Sequence, residues 1–182
     1  MMKQRTKKIL KYTIFGGIAT GAGVILYLTF KTNVKSEDAR RYTPKYFPFS
    51  DLFKSEKADA YGIDNTTDDP TINDNLKALC KAVVDPALDE YERLYGKPNA
   101  KVNSGYRNAE VNALAGGKPT SQHTKGEAVD ITLGSKENNR RLFDIVKRQA
   151  KFDHLINEYD LSWCHISFKR TGYNRQDARQ EK

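Results

Sequence analysis

The spacing of apolar positions divides the chain into regions of different character. From Tyr12 to Phe30, nineteen residues run without a charge, YTIFGGIATGAGVILYLTF. At roughly 1.5 Å per residue a helix of that length just crosses a hydrocarbon core, so the pattern predicts an N-terminal transmembrane helix over residues 12–30, after a basic tail over 1–11. A cleaved signal peptide would share the basic start, but the run is long for one and ends in large residues, not small ones. Residues 31–46 are polar, follow neither a helical nor an alternating period, and read as a linker.

Beyond the linker, residues 47–70 mix aromatics with turn formers and read as an irregular lead-in. Apolar side chains then recur, mostly three and four apart, at Ile72, Leu76, Leu79, Cys80, Val83, Val84, Leu88, Tyr91 and Leu94. This predicts one long amphipathic helix from Ile72 to Tyr95, adjusted around Pro86 and ended by Gly96-Lys97-Pro98. A short strand follows from about Lys101, then a short helix from Ala109 to Ala115. Alternation over Glu127 to Leu133 predicts a strand, and helical spacing returns from Lys136 to Gln149. Two more strands are expected near His154–Tyr159 and Ser162–Phe168. Residues 171–182 are polar and read as a tail. The mixture predicts an α+β domain over residues 47–170, a small antiparallel sheet flanked by helices.

Charge changes the picture through its location. The 182 residues carry a net charge of +8, with 31 Lys/Arg and 23 Asp/Glu. Ten of the basic residues but only Glu37 and Asp38 of the acidic ones fall in 1–46, so the remaining chain holds 21 of each and is neutral. A nucleic-acid-binding domain concentrates positive charge on its folded surface to displace counterions, and no such partner is expected here. Five Lys/Arg precede the apolar span and five lie between Lys31 and Lys45, so the positive-inside rule does not orient it. Cys80 and Cys164 are too few for a disulfide scaffold and lack the pairing of a thiolate zinc site; each reads as a small buried residue, with a bond between them left open.

Two segments carry candidate chemistry, SQHTKGEAVD over Ser121 to Asp130 and SWCHISF over Ser162 to Phe168. A hydrolytic zinc site uses three protein ligands and leaves one position open, and two neutral imidazoles with one carboxylate leave the metal enough positive charge to acidify water towards about pKa 7. His123, Asp130 and His165 supply that set. On spacing alone the stronger reading is a surface loop histidine and a strand aspartate, since no short histidine motif of the familiar metalloprotease kind is present.

The pattern S-x-H-x-x-G-x-A-x-D, formed by Ser121, His123, Gly126, Ala128 and Asp130, resembles the metal motif of the zinc D-alanyl-D-alanine carboxypeptidase family, peptidase family M15. FPFSDLFKS, YGIDNT, VNSGYRNAEVNALAGGKPTSQHTKGEAVDI, FDHLINE and WCHISF resemble successive blocks of one branch of that family, over about residues 47–170. The resemblance implies a fold shared with the Hedgehog signalling domain, a Zn2+ cofactor on His123, Asp130 and His165, and a role for Arg107 in holding or polarising substrate. Ser121 would hydrogen-bond substrate or cap its loop.

Two positions depart from the family pattern. His154 stands where glutamine is common, and reads as a strand histidine with a fourth-ligand role as the alternative. Ser162 stands three residues before His165, where many members place a carboxylate. Glu158, with Asp160 behind it, is the available general base. Strand alternation puts His154, Ile156 and Glu158 on one face, and His165 with Trp163 and Ser167 on one face of the next strand; antiparallel pairing would bring Glu158 to the metal site.

The expected function is therefore a zinc metallopeptidase hydrolysing peptidoglycan stem peptides, as carboxypeptidase or endopeptidase. It would be anchored in the cytoplasmic membrane by a single span, with the catalytic domain on the outer side. The alternative is a non-catalytic zinc-stabilised module that binds cell wall or protein. No oligomeric state is expected from the sequence.

Overall fold

The structure is a computed structural model that describes residues 42–180. The expected anchor at 12–30 and most of the linker lie outside the described residues; among these, no helix is long and apolar enough to cross a membrane.

The lead-in is more ordered than its sequence pattern implies. A 3₁₀ turn at Phe49–Phe53 precedes helix α1, Glu56–Tyr61, which is capped by the Ser55 side chain and stopped by Gly62. Six residues are too few for periodicity to reveal. The last residues of the expected linker are docked: the Tyr42 hydroxyl and the Lys45 amide both donate to Asp85, and the Tyr46 hydroxyl lies 2.6 Å from Asp89 and 2.8 Å from Glu92.

The long helix is present with its expected adjustment. Helix α2, Pro70–Leu79, starts with proline in its first turn behind an Asp69 cap, and helix α3, Asp85–Tyr95, carries Pro86. Between them Cys80–Val84 forms a π turn, in which the Asp85 amide reaches back five residues to the Cys80 carbonyl. Proline has no N–H to donate, and a locally widened turn accommodates that gap without breaking the helix. Helix α4 is Ala109–Leu114, and helix α5 is Lys136–Gln149, capped by the Ser135 side chain.

Five strands, β1 Lys101–Ser104, β2 Ala128–Thr132, β3 His154–Glu158, β4 Trp163–Ser167 and β5 Asp177–Gln180, form one sheet in the order β1-β2-β4-β3-β5. The first three pairings are antiparallel, but β5 runs parallel to β3. The sheet is therefore mixed, and part of the expected polar tail is its edge strand. An edge strand needs only backbone pairing, and the half-exposed and exposed side chains of β5 leave no apolar alternation to read.

Alternation divides the faces of the sheet. Val129, Ile131, Leu155, Cys164 and Ile166 join the core with Leu79, Val83, Leu88, Leu142, Ile145 and Val146 of the helices. Both cysteines are free and buried. The opposite face carries Asp130, Ile156, Glu158, Trp163 and His165, which line a cleft.

The β3–β4 turn is held by polar side chains. Tyr159, Asp160 and Leu161 all have positive φ, 46°, 53° and 64°, a conformation costly for side-chain-bearing residues. Asn157 Oδ1 accepts from the Leu161 amide, while Asn139 Nδ2 donates to the Leu161 and Ser162 carbonyls at 2.8 Å each. Asn139 Oδ1 accepts from the Leu133 amide at 2.6 Å. One buried amide on α5 thus ties the end of β2 to the turn that follows Glu158. Replacing Asn139 with alanine strands these partners, and the expected loss is roughly 2–4 kcal/mol of unfolding free energy in a denaturant titration. A loss below about 0.5 kcal/mol, the scatter of an ordinary surface change, would show that the turn holds itself.

Candidate metal centre

The residues of the S-x-H-x-x-G-x-A-x-D motif each answer a local need. Ser121 caps the 3₁₀ turn Gln122–Lys125, its Oγ accepting from the His123 amide at 3.3 Å. Gly126 closes that turn at φ 66°, and a Cβ there would stand 2.6 Å from the Ile72 carbonyl oxygen, so only glycine fits. Ala128 is fully buried where β2 enters the sheet opposite Ser167. Two residues further along, Asp130 lies directly across from His165.

These constraints bring three donor atoms together. His123 Nε2 lies 3.2 Å from His165 Nδ1 and 3.4 Å from Asp130 Oδ1, and His165 Nδ1 lies 2.9 Å from Asp130 Oδ1. Zinc bonds of about 2.1 Å in a tetrahedron set ligand atoms about 3.4 Å apart, so the triangle is close to what the ion requires. The surrounding bonds fix which atoms face inward. His123 Nδ1 is 2.7 Å from the Gly105 carbonyl, which can only accept, so Nδ1 carries the proton and Nε2 presents its lone pair. Arg107 Nη2 donates to Asp130 Oδ2 at 2.8 Å and leaves Oδ1 for the cluster. Burial pushes the Asp130 carboxyl up, but His123 and His165 outweigh it and hold the group well below the usual carboxylate range. The donor set fits a zinc ion, with no further His, Cys, Asp or Glu side chain in the cluster among the described residues.

Arg107 is positioned by the blocks that precede it. Its Nε donates to Ser104 Oγ at 2.7 Å, and its amide bonds the His123 carbonyl at 3.2 Å. The Tyr106 amide donates to the Leu52 carbonyl at 2.7 Å, and a Cβ on Gly105 would fall 2.1 Å from that oxygen. Buried Asn65 donates to the Phe53 and Tyr106 carbonyls and accepts from the Asn108 amide. FPFSDLFKS and YGIDNT therefore serve as the clamp for SGYR.

The ligands open onto a cleft of about 780 Å³, lined also by Arg107, Ser121, His154, Glu158 and Trp163. Glu158 pairs with Trp163 across β3–β4, and the indole Nε1 donates to its Oε2 at 3.1 Å. Asp160, the alternative base, instead pairs with Lys136 at the start of α5. His154 stays outside the ligand triangle, its Nδ1 3.2 Å from Asp177 Oδ2. Sequence reasoning missed Gly105, Ser104 and Trp163 as supports. Ser104 and Gly105 stood in the SGYR block, and Trp163 shares its strand face with His165.

Substituting alanine for His123, Asp130 or His165 should each reduce bound zinc well below one equivalent after dialysis, whereas His154→Ala should keep it. Elemental analysis of the purified chains reads this directly, and a full equivalent in His165→Ala would remove the site described.

Beyond its own geometry, the chain matches the family model for Peptidase M15 over residues 45–167. A search of curated proteins finds no match.

Proposed function

From the premise that this chain belongs to the peptidase M15 family, we propose that it is a zinc peptidase that hydrolyses a peptide bond in peptidoglycan stem peptides, with Glu158 as general base. The observation that carries the proposal is a carboxylate in the same cleft as a three-donor zinc set that leaves a coordination position open. Zinc held by His123, Asp130 and His165 would polarise the scissile carbonyl and acidify the attacking water.

The chain's own side chains divide the remaining work. Glu158 takes a proton from the attacking water and returns it to the leaving amine, for which its carboxylate must come within about 3 Å of each in turn. The Trp163 indole holds one carboxylate oxygen and so limits the swing of the group. Arg107 is anchored through Nε and Nη2, and among the described residues no protein group engages Nη1. That nitrogen is available to a substrate carbonyl or carboxylate, where a charge-assisted bond is strongest. Ser121 Oγ accepts one bond within the turn and keeps its hydroxyl proton and a second lone pair for substrate.

The substrate lies outside the cytoplasmic membrane, and the proposal therefore includes residues 12–30 as an anchor that leaves the domain on the outer face. Its support is the uncharged span in the sequence.

The test is to incubate the full-length chain with purified peptidoglycan, with and without a chelator, and to identify released fragments by mass spectrometry. Fragments ending at one stem-peptide bond, lost on chelation, are expected. Glu158→Gln should keep its zinc and lose hydrolysis by roughly 10²–10⁴-fold. Near-normal turnover in that variant would displace Glu158 as base, and retention on peptidoglycan without any released fragment would make the domain a binding module.

A further inference from the structure

Charge is distributed unevenly within the domain. Residues 47–182 are neutral in total, and the cleft is lined by Lys57, Arg107, Lys118, Arg175 and Arg179 against Asp130 and Glu158, with Asp153 and Asp177 behind its edge paired to Arg175 and Arg179. A bound zinc ion would give the cleft a net positive charge. Low-dielectric walls focus such a field on whatever enters, which favours an anionic ligand.

Two of these arginines come from the C-terminal segment. The sheet register aligns Asp130 with His165, His165 with Ile156, and Ile156 with Arg179, one row across four strands. Arg179 therefore stands on the cleft face two strands from the ligand His165, about 10 Å away at the spacing of paired strands. An extended peptide covers that distance in about three residues.

Both guanidinium groups are held in place before any ligand arrives. Arg175 Nε donates to Asp153 Oδ1 at 2.9 Å, and Asp153 is fully buried. Arg179 Nε donates to Asp177 Oδ2 at 2.8 Å, and its Nη2 lies 3.1 Å from His154 Nδ1. About half of each side chain remains accessible, 45% for Arg175 and 51% for Arg179. The Nε and Nη2 edge of each guanidinium is taken by its aspartate, so a carboxylate would meet the outer Nη1 edge of a group already held in place, at little ordering cost.

We propose that Arg179, with Arg175 beside it, forms an anion-binding subsite at the β5 edge of the cleft that takes a free carboxylate of the substrate peptide, about three residues' span from the bond that is cut. The proposal rests on the stem-peptide reading above and adds a selection: stems whose second-residue α-carboxylate is free are preferred to stems in which it is amidated. The edge strand thereby becomes part of the substrate site.

The test uses two synthetic stem peptides, one with a free α-carboxylate on its γ-linked D-glutamate and the other with that group amidated. They are titrated calorimetrically into the full-length, zinc-loaded chain carrying Glu158→Gln, with the peptides checked for cleavage afterwards. Charge-assisted hydrogen bonds at a half-exposed site predict about tenfold tighter binding of the acid. R179Q in the same background should bring acid and amide to nearly equal affinity, and R179K should retain part of the preference. Zinc content is measured on the same samples, and R179K carries the comparison if R179Q binds less metal. Equal affinities in the parent, or a preference that survives R179Q and R179K unchanged, would overturn the subsite. If the wild-type chain cleaves neither peptide, the hydrolase reading fails while the acid-to-amide ratio still decides this one.

Discussion

The site depends on strand register. Asp130 and His165 come from segments 35 positions apart, and they meet only because β2 and β4 pair with these two residues opposite each other. Side chains alternate strictly along a strand, so a slip of one residue on either strand would turn a ligand into the core and an aliphatic neighbour into the cleft. The register is over-determined on the buried side. Val129 and Ile131 of β2, Leu155 of β3, and Cys164 and Ile166 of β4 are fully buried against the helices, and none could face the cleft without losing that burial. At roughly 25 cal/mol per Å² of apolar surface, burying each large aliphatic side chain favours this register by roughly 1.5–3 kcal/mol. Packing on one face thus fixes the chemistry on the other.

Loops are fixed by a second means, buried side-chain amides. Asn65 clamps the chain around Arg107, Asn139 and Asn157 hold the β3–β4 turn, and Asn174 bonds both backbone groups of Lys169 ahead of β5. Each satisfies backbone groups that no strand or helix partner reaches, which is the condition for burying a turn. The positive-φ run at Tyr159 to Leu161 is tolerated on those terms and places Glu158 at the last position of β3, next to the cleft.

Much of this was legible in the sequence. Helix α5 matches its expected limits because it has a serine cap and an unbroken apolar stripe, and the β3–β4 hairpin was readable from two alternating runs around a polar turn. The ligand set was legible through the motif, whose glycine and alanine have steric causes at Gly126 and Ala128. What escaped lacks an apolar signal. Strand β5 pairs through its backbone at the sheet edge with side chains such as Arg179 towards solvent, and residues 42–46 dock through tyrosine–carboxylate bonds. Helix α1 is too short to show a period. The sheet was consequently expected to be antiparallel, and the cationic end of the cleft was not foreseen.

The claim on which the account turns is that His123, Asp130 and His165 hold zinc with one position open. X-ray absorption at the zinc edge of the full-length chain measures this most directly. Two imidazole nitrogens, one carboxylate oxygen and a fourth light atom that is replaced on adding a small thiol are the predicted result. A closed sphere of four protein ligands, unchanged by the thiol, would contradict it and mark the metal as structural.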